Sequence, residues 1–298
     1  MRVLITGANG MVGRHLSSYL KEKGFEVITT DISGSDINGD ISDRDFVFSK
    51  LGKNEFDSIV HLAAITEIRK TVEDPYLCFL VNTYGTLNML ELAARKDVNR
   101  FVYASSANVY GVPKENPVRE EAPFAPRVPY DYSKVISENL VRSYMLSKGL
   151  RASITRSWLL FGEFDNQNRA TVRFILSCLK NSRITLFNSG RDVTTPTHAL
   201  NYANLVYLIL KDEKAVGEAF NFGGEKVVSM MEYAEMIKKM TNSNAEIVLA
   251  PPRTELEKEP LISYPSTEKA KKKLGYKYIM TLEEGLKRTI EWVKNSLI

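Results

Sequence analysis

The chain has 298 residues, 44% of them hydrophobic and 26% charged, with a formal net charge of +4. That length supports a sizeable core without disulfides or metals, and so small a charge favours a solvated Lys/Glu-rich surface over nucleic-acid binding. Two cysteines, Cys78 and Cys178, lie among apolar residues and are expected as buried free thiols; three scattered histidines give no metal site.

Residues 2–6 read as a buried strand. Glycines follow at Gly7, Gly10 and Gly13, then an amphipathic helix over 11–23. Strand, Gly-rich turn and helix together make an anion site: Asn9, Met11 and Val12 bring backbone N–H groups to a pyrophosphate, and the glycines permit its close approach. A second strand, 25–30, ends at Asp31, whose carboxylate can accept both ribose hydroxyls of NAD and would repel a 2′-phosphate. Asp40 and Ile41 follow at a distance suited to the adenine. Ser42 is expected to cap a helix over 42–51. A third strand, 57–62, ends in the small run Leu62, Ala63 and Ala64, where a flat ligand can lie; His61 beside them reads as structural. A long helix over 75–95 carries Asn82 among apolar neighbours. Strands at 100–105 and 152–157 flank a helix over 132–148.

Regular βαβ alternation predicts an α/β fold, a doubly wound parallel sheet of the Rossmann kind over 1–157. Residues 158–298 read as a smaller C-terminal substrate-binding lobe, with part of 192–225 returning to the first domain. Helices are expected there at 169–180, 200–210, 230–241 and 282–296, and short strands at 184–187 and 246–249. No apolar run is long enough for a membrane span, and the chain enters a strand at once, so a cytoplasmic protein is expected.

Ser106 ends the fourth strand, and Tyr130 and Lys134 follow at a spacing that puts them one helical turn apart. A phenol beside an ammonium can work as an acid/base. Bringing tyrosine from about 10 to roughly 7 takes about 4 kcal/mol, and Lys134 together with the positive nicotinamide ring are expected to supply it. Ser106 can hydrogen-bond the same substrate oxygen.

In this order the motifs resemble the extended short-chain dehydrogenase/reductase superfamily, and within it the NAD-dependent nucleotide-sugar epimerases and dehydratases. The resemblance covers nearly the whole chain. It rests on T-G-x-x-G-x-x-G from Thr6, on Asp31 and Asp40-Ile41, and on H-x-A-A from His61. It continues in Val81 to Thr86 with Asn82, in Ser106, Tyr130 and Lys134, and in Lys269 to Tyr276. It implies NAD as cofactor and a nucleotide-diphosphate sugar as substrate. It also implies a substrate set of Thr66, Ser106, Tyr130, Arg191 and Arg253, a cofactor contact from Trp158, and a homodimer formed through the helices at 75–95 and 132–148. The dehydratases carry an Asp-Glu pair where this chain has Ala107 and Asn108, so the resemblance favours a UDP-glucose 4-epimerase-like activity. The run around Trp158, with leucines at 159 and 160 in place of an asparagine, is similar to 4-keto-6-deoxysugar reductases. That makes a net reductase the first alternative and a catalytically idle binding subunit the second.

Overall fold

Strand β1 (Arg2–Thr6) has four of its five residues buried, as a central strand covered on both faces requires. The Gly-rich turn leads into α1 (Met11–Glu22), β2 (Glu26–Asp31) and the short β3 (Ile37–Asn38). Then come α2 (Arg44–Ser49), β4 (Ser58–His61), α3 (Ile68–Glu73), α4 (Pro75–Phe79) and α5 (Gly85–Arg95). β5 (Arg100–Ser106), α6 (Pro129–Lys148) and β6 (Ala152–Ser157) follow. The computed structural model describes residues 1–252 and 259–298.

The remaining chain adds β7 (Leu160–Phe161), α7 (Ala170–Leu179), β8 (Ile184–Phe187), β9 (Val193–Thr194) and β10 (Thr197–His198). It continues through α8 (Ala199–Lys211), β11 (Ala219–Phe222), β12 (Val228–Ser229), α9 (Met230–Met240) and β13 (Ile247–Ala250). α10 (Glu268–Leu274) and α11 (Leu282–Ser296) close it.

Seven strands form one parallel sheet in the order β11-β6-β5-β4-β1-β2-β3. Chain order reverses between β1 and β4, and ligands of such sheets bind in the crevice at that reversal. On one face α1 and α8 pack Leu16, Tyr19, Leu205 and Ile209 onto the sheet. On the other, α2, α5 and α6 bring Phe46, Val47, Met89, Leu90 and Val141. A separate core joins α7, α9 and α11 through Phe174, Ile175, Tyr233, Ile237, Leu286 and Ile290.

Three local expectations are corrected. Asp43, not Ser42, caps α2, accepting from Asp45 N and Phe46 N, while Ser42 turns its hydroxyl to Asp40; the carboxylate is the stronger acceptor for two N–H groups. The helix expected at 132 starts at Pro129, because Asp131 accepts from Arg127 N and Val128 N and so holds the entry. The rod expected over 75–95 is interrupted by a π turn at Leu80–Tyr84, a wider turn of the kind often found at functional sites. Both cysteines are free and buried, and no helix among the described residues is long and apolar enough to cross a membrane.

Candidate active site

At the N-terminus of α1 the cap residue is Gly10, with no side-chain cap and no acidic residue in the first turn. The first N–H groups are left for an anion. The turn is compressed: a Cβ on Gly7, whose φ is +68°, would lie 2.7 Å from Ala63 N, and one on Gly13 would lie 2.3 Å from Gly7 O. Gly10 faces the more open side, its nearest such contact being 3.3 Å. Across the turn, Asp31 accepts from Asn9 N at 2.9 Å and from Ile32 N at 2.7 Å. Two backbone donors fix the carboxylate, and it keeps further lone pairs for hydroxyl donors. Asp40 accepts from the Ser42 amide and hydroxyl, and Ile41 packs where Gly85 leaves room.

The end of β4 is tied to β1. Thr6 Oγ1 bonds His61 Nδ1 at 2.7 Å and accepts from Ala63 N at 3.1 Å. His61 Nε2 lies 3.0 Å from Thr86 Oγ1, which itself donates to Asn82 O. His61 therefore donates to Thr86 and accepts from Thr6. Burial, with the Lys134 charge nearby, pushes its pKa down to about 3. It is a neutral structural histidine, as expected. Asn82 accepts from Ile65 N at 2.7 Å and donates to Ile65 O and Ser133 Oγ. Its amide is thereby spent clamping the loop after β4 onto α6. Leu62, Ala63 and Ala64 are half-buried along that loop, and Thr66 is exposed.

Ser106 ends β5 opposite Ser157, and its hydroxyl accepts from Asn108 N at 3.2 Å. Tyr130 and Lys134 lie on the first turns of α6, both buried. Lys134 Nζ donates to Ala104 O at 2.8 Å, 5.0 Å from the centre of the Tyr103 ring and 5.9 Å from that of Tyr130. Burial pushes Lys134 down to about 8. Burial also pushes the Tyr130 phenol up; the Ser106 hydrogen bond and the Arg169 charge oppose it without overcoming it. Burial within the polypeptide thus outweighs the charges that reach the phenol, which leaves the expected lowering to the positive nicotinamide ring. Asn108 donates to Asp131 at 3.1 Å, the residue that holds the entry of α6. Asn108 thereby braces the helix that carries Tyr130.

At the far end, the Trp158 side chain is buried, stacks on Tyr110 at 5.9 Å and donates to Ser263 Oγ. Arg191 is exposed beside Asp192, which accepts from Leu261 N. Arg253 lies outside the described residues. Two things went unseen in the sequence: Arg169, at the N-terminus of α7, whose charge reaches Tyr130, and the meeting of His15 and His198 on Glu163. Spacing alone gives no signal for either.

Residues 3–223 match the model of the NAD dependent epimerase/dehydratase family. The chain belongs to this family. A putative UDP-glucose 4-epimerase of Methanocaldococcus jannaschii is 32% identical, the alignment covering 99% of both chains. UDP-glucuronic acid decarboxylase 1 of Xenopus tropicalis is 30% identical over 99% of this chain and 73% of its own. Among solved structures, an epimerase of Methanothermobacter thermautotrophicus superposes with a TM-score of 0.92 at 26% identity, covering 99% of this chain and 93% of that one. For this epimerase/dehydratase family member the cofactor is NAD, and the uncapped turn with Asp31 opposite it fits that dinucleotide.

Proposed function

We propose that this chain is an epimerase of a nucleotide-diphosphate sugar, acting at C4 of a UDP-hexose through a 4-keto intermediate. The observation that carries the reading is the complete set of Ser106, Tyr130 and Lys134 with Ala107 and Asn108 beside it, Asn108 being committed to Asp131. Water elimination needs an acid and base at those positions and finds neither.

The Gly-rich turn and Asp31 hold the dinucleotide at the reversal point of the sheet. Lys134, anchored on Ala104 O, reaches the nicotinamide ribose and keeps a positive charge beside the phenol. NAD, when bound, would supply the hydride acceptor and donor for C4, with the keto sugar turning between the two transfers, and a positive ring that favours the phenolate. Tyr130 removes the hydroxyl proton and later gives it back, with Ser106 hydrogen-bonded to the same oxygen. Arg191 and Arg253 are proposed for the substrate phosphates, with Thr66 on the sugar side. Residues 1–157 serve the cofactor and 158–298 the substrate.

A soluble cytoplasmic homodimer completes the proposal: Tyr76, Leu77 and Tyr84 near α4 and Tyr132 and Ile136 on α6 are exposed apolar residues on adjacent helices. A monomeric mass by light scattering would refute the dimer. The alternative reading, a net reductase, is favoured by Leu159 and Leu160 standing where the epimerases carry an asparagine. One assay separates the two. An epimerase converts a UDP-hexose to its C4 epimer with no net change in nicotinamide absorbance, whereas stoichiometric NAD(P)H consumption would overturn the proposal.

A further inference from the structure

Two histidines distant in sequence meet on one buried carboxylate. His15 Nε2 of α1 lies 3.0 Å, and His198 Nε2 at the end of β10 lies 2.6 Å, from the same Glu163 Oε2. Arg288 of α11 pairs with the other oxygen through Nε at 2.9 Å and Nη2 at 2.7 Å. Glycines make the room. A Cβ on Gly162 would lie 3.1 Å from His15 Cε1 and 3.2 Å from His198 Nε2; one on Gly285 would lie 2.9 Å from His198 Cβ.

The three groups are close enough to hold a metal ion, but their outer hydrogen bonds set them for protons. Leu200 N–H donates to His198 Nδ1 at 3.2 Å, so the ring hydrogen of His198 is on Nε2, aimed at the carboxylate. Burial holds His198 below its ordinary pKa, consistent with that single ring hydrogen. His15 Nδ1 faces the Met11 carbonyl at 2.8 Å and its Nε2 faces Glu163. Both partners are acceptors, an arrangement that a ring with hydrogen on both nitrogens satisfies. Burial pushes Glu163 up, but the hydrogen bonds from both histidines outweigh it and hold the carboxyl well below its usual range. Two further charges border the cluster. Asp165 is pushed up to about 6 by burial and lies 3.9 Å from Arg169; Arg14 lies over the Phe164 ring.

The cluster reaches the cofactor turn. His15 donates to Met11 O, and its neighbour Arg14 donates from Nε to Asn9 O at 2.9 Å and also pairs with Asn9 Oδ1. Arg14 rests 5.0 Å from the centre of the Phe164 ring. Phe164 follows Glu163, has φ +70°, and packs against His15 and Trp292 at 5.8 Å each. A non-glycine residue in that region is strained and persists only where its surroundings hold it. Residues 163 and 164 thus grip both side chains that brace the turn. The same loop runs on to Arg169, whose charge reaches Tyr130.

We propose that Glu163, backed by His198 and Arg288, holds His15 as an imidazolium and so locks the Gly-rich turn in its pyrophosphate-gripping shape. Glu163 and His15 are positioning residues for NAD, and the loop from 163 to 169 joins cofactor retention to the reacting end of the pocket. The imidazolium, one turn into α1, also adds its charge to that of the helix N-terminus.

The test is Glu163→Gln, which keeps the shape and removes the charge. The expected result is a rise of about tenfold or more in the NAD dissociation constant, the usual scale for a charged hydrogen bond. Gel-filtered variant would then need added NAD, and excess NAD would restore its turnover. Nitrogen-15 spectra should show both His15 ring nitrogens protonated in the wild type and one in the variant. An unchanged NAD constant would overturn the proposal, even with a lowered melting temperature, since the cluster would then be structural only. One equivalent of zinc retained on dialysis would overturn it in favour of a metal site. The wild-type spectrum needs no variant, so a misfolded Glu163→Gln leaves that arm standing. NAD binding is measured directly, so failure here is distinct from failure of the epimerase reading.

Discussion

The carboxyl ends of β4 and β5 lie side by side in the sheet and are built in opposite ways. At β4, every side-chain polar atom of Thr6, His61, Thr86 and Asn82 finds a partner within the chain. At β5, the buried Ser105 hydroxyl has no hydrogen-bond partner among the described residues. At the same strand end, burial pushes Tyr130 up and Lys134 down. Buried polar groups are ordinarily satisfied, and those that are not call for an explanation. On the proposed function this is a division of labour: the β4 end ties neighbouring strands and helices together, and the β5 end is the one offered to substrate and cofactor.

That contrast makes graded predictions. Tyr130→Phe is expected to lower turnover by about 100-fold or more while NAD still binds and the melting temperature holds; near-normal turnover would end the acid/base assignment. The β4 end should show itself in pH rather than in catalysis. His61 has a folded value of about 3 against about 6.5 unfolded. Between those values the unfolded chain binds more protons, so the stability His61 contributes is complete above pH 6.5 and declines as pH falls. The slope is at most about 1.4 kcal/mol per pH unit. His198, also lowered, adds in the same direction. Urea unfolding between pH 7 and 4.5 measures this, and His61→Gln should flatten it; equal slopes in both proteins would mean that native His61 is charged. The smallest effect is expected at Ser105→Ala, whose stability change should stay within about 0.5 kcal/mol because no partner is lost. A loss of several times that in a melting experiment would show that Ser105 already has a structural partner.

Much of the cofactor side was readable before any coordinates, because its signals are local. A strand, three glycines at fixed spacing and a helix make one turn, and Tyr130 and Lys134 are one helical turn apart whatever surrounds them. Where the reading failed, a neighbour had changed the local choice. Asp43 took the cap from Ser42, Asp131 lengthened α6, and the Asn82 clamp accompanies a π turn in a helix that periodicity drew as continuous. At Tyr130 spacing identifies Lys134 but not the depth of burial, which opposes the phenolate and leaves its stabilisation to the nicotinamide charge.

The sequence by itself determined the dinucleotide turn, the alternation that yields a parallel sheet, and the Ser/Tyr/Lys set, since each is signalled by local patterns and their order along the chain. Only the tertiary structure decided which histidines meet. His15 and Glu163 are 148 residues apart, and Arg288 and Glu163 are 125 apart. No period or motif spans such a distance. Those groups were brought together by the packing of α1, β10 and α11 around Gly162 and Gly285, where an added methyl group would crowd His15 and His198.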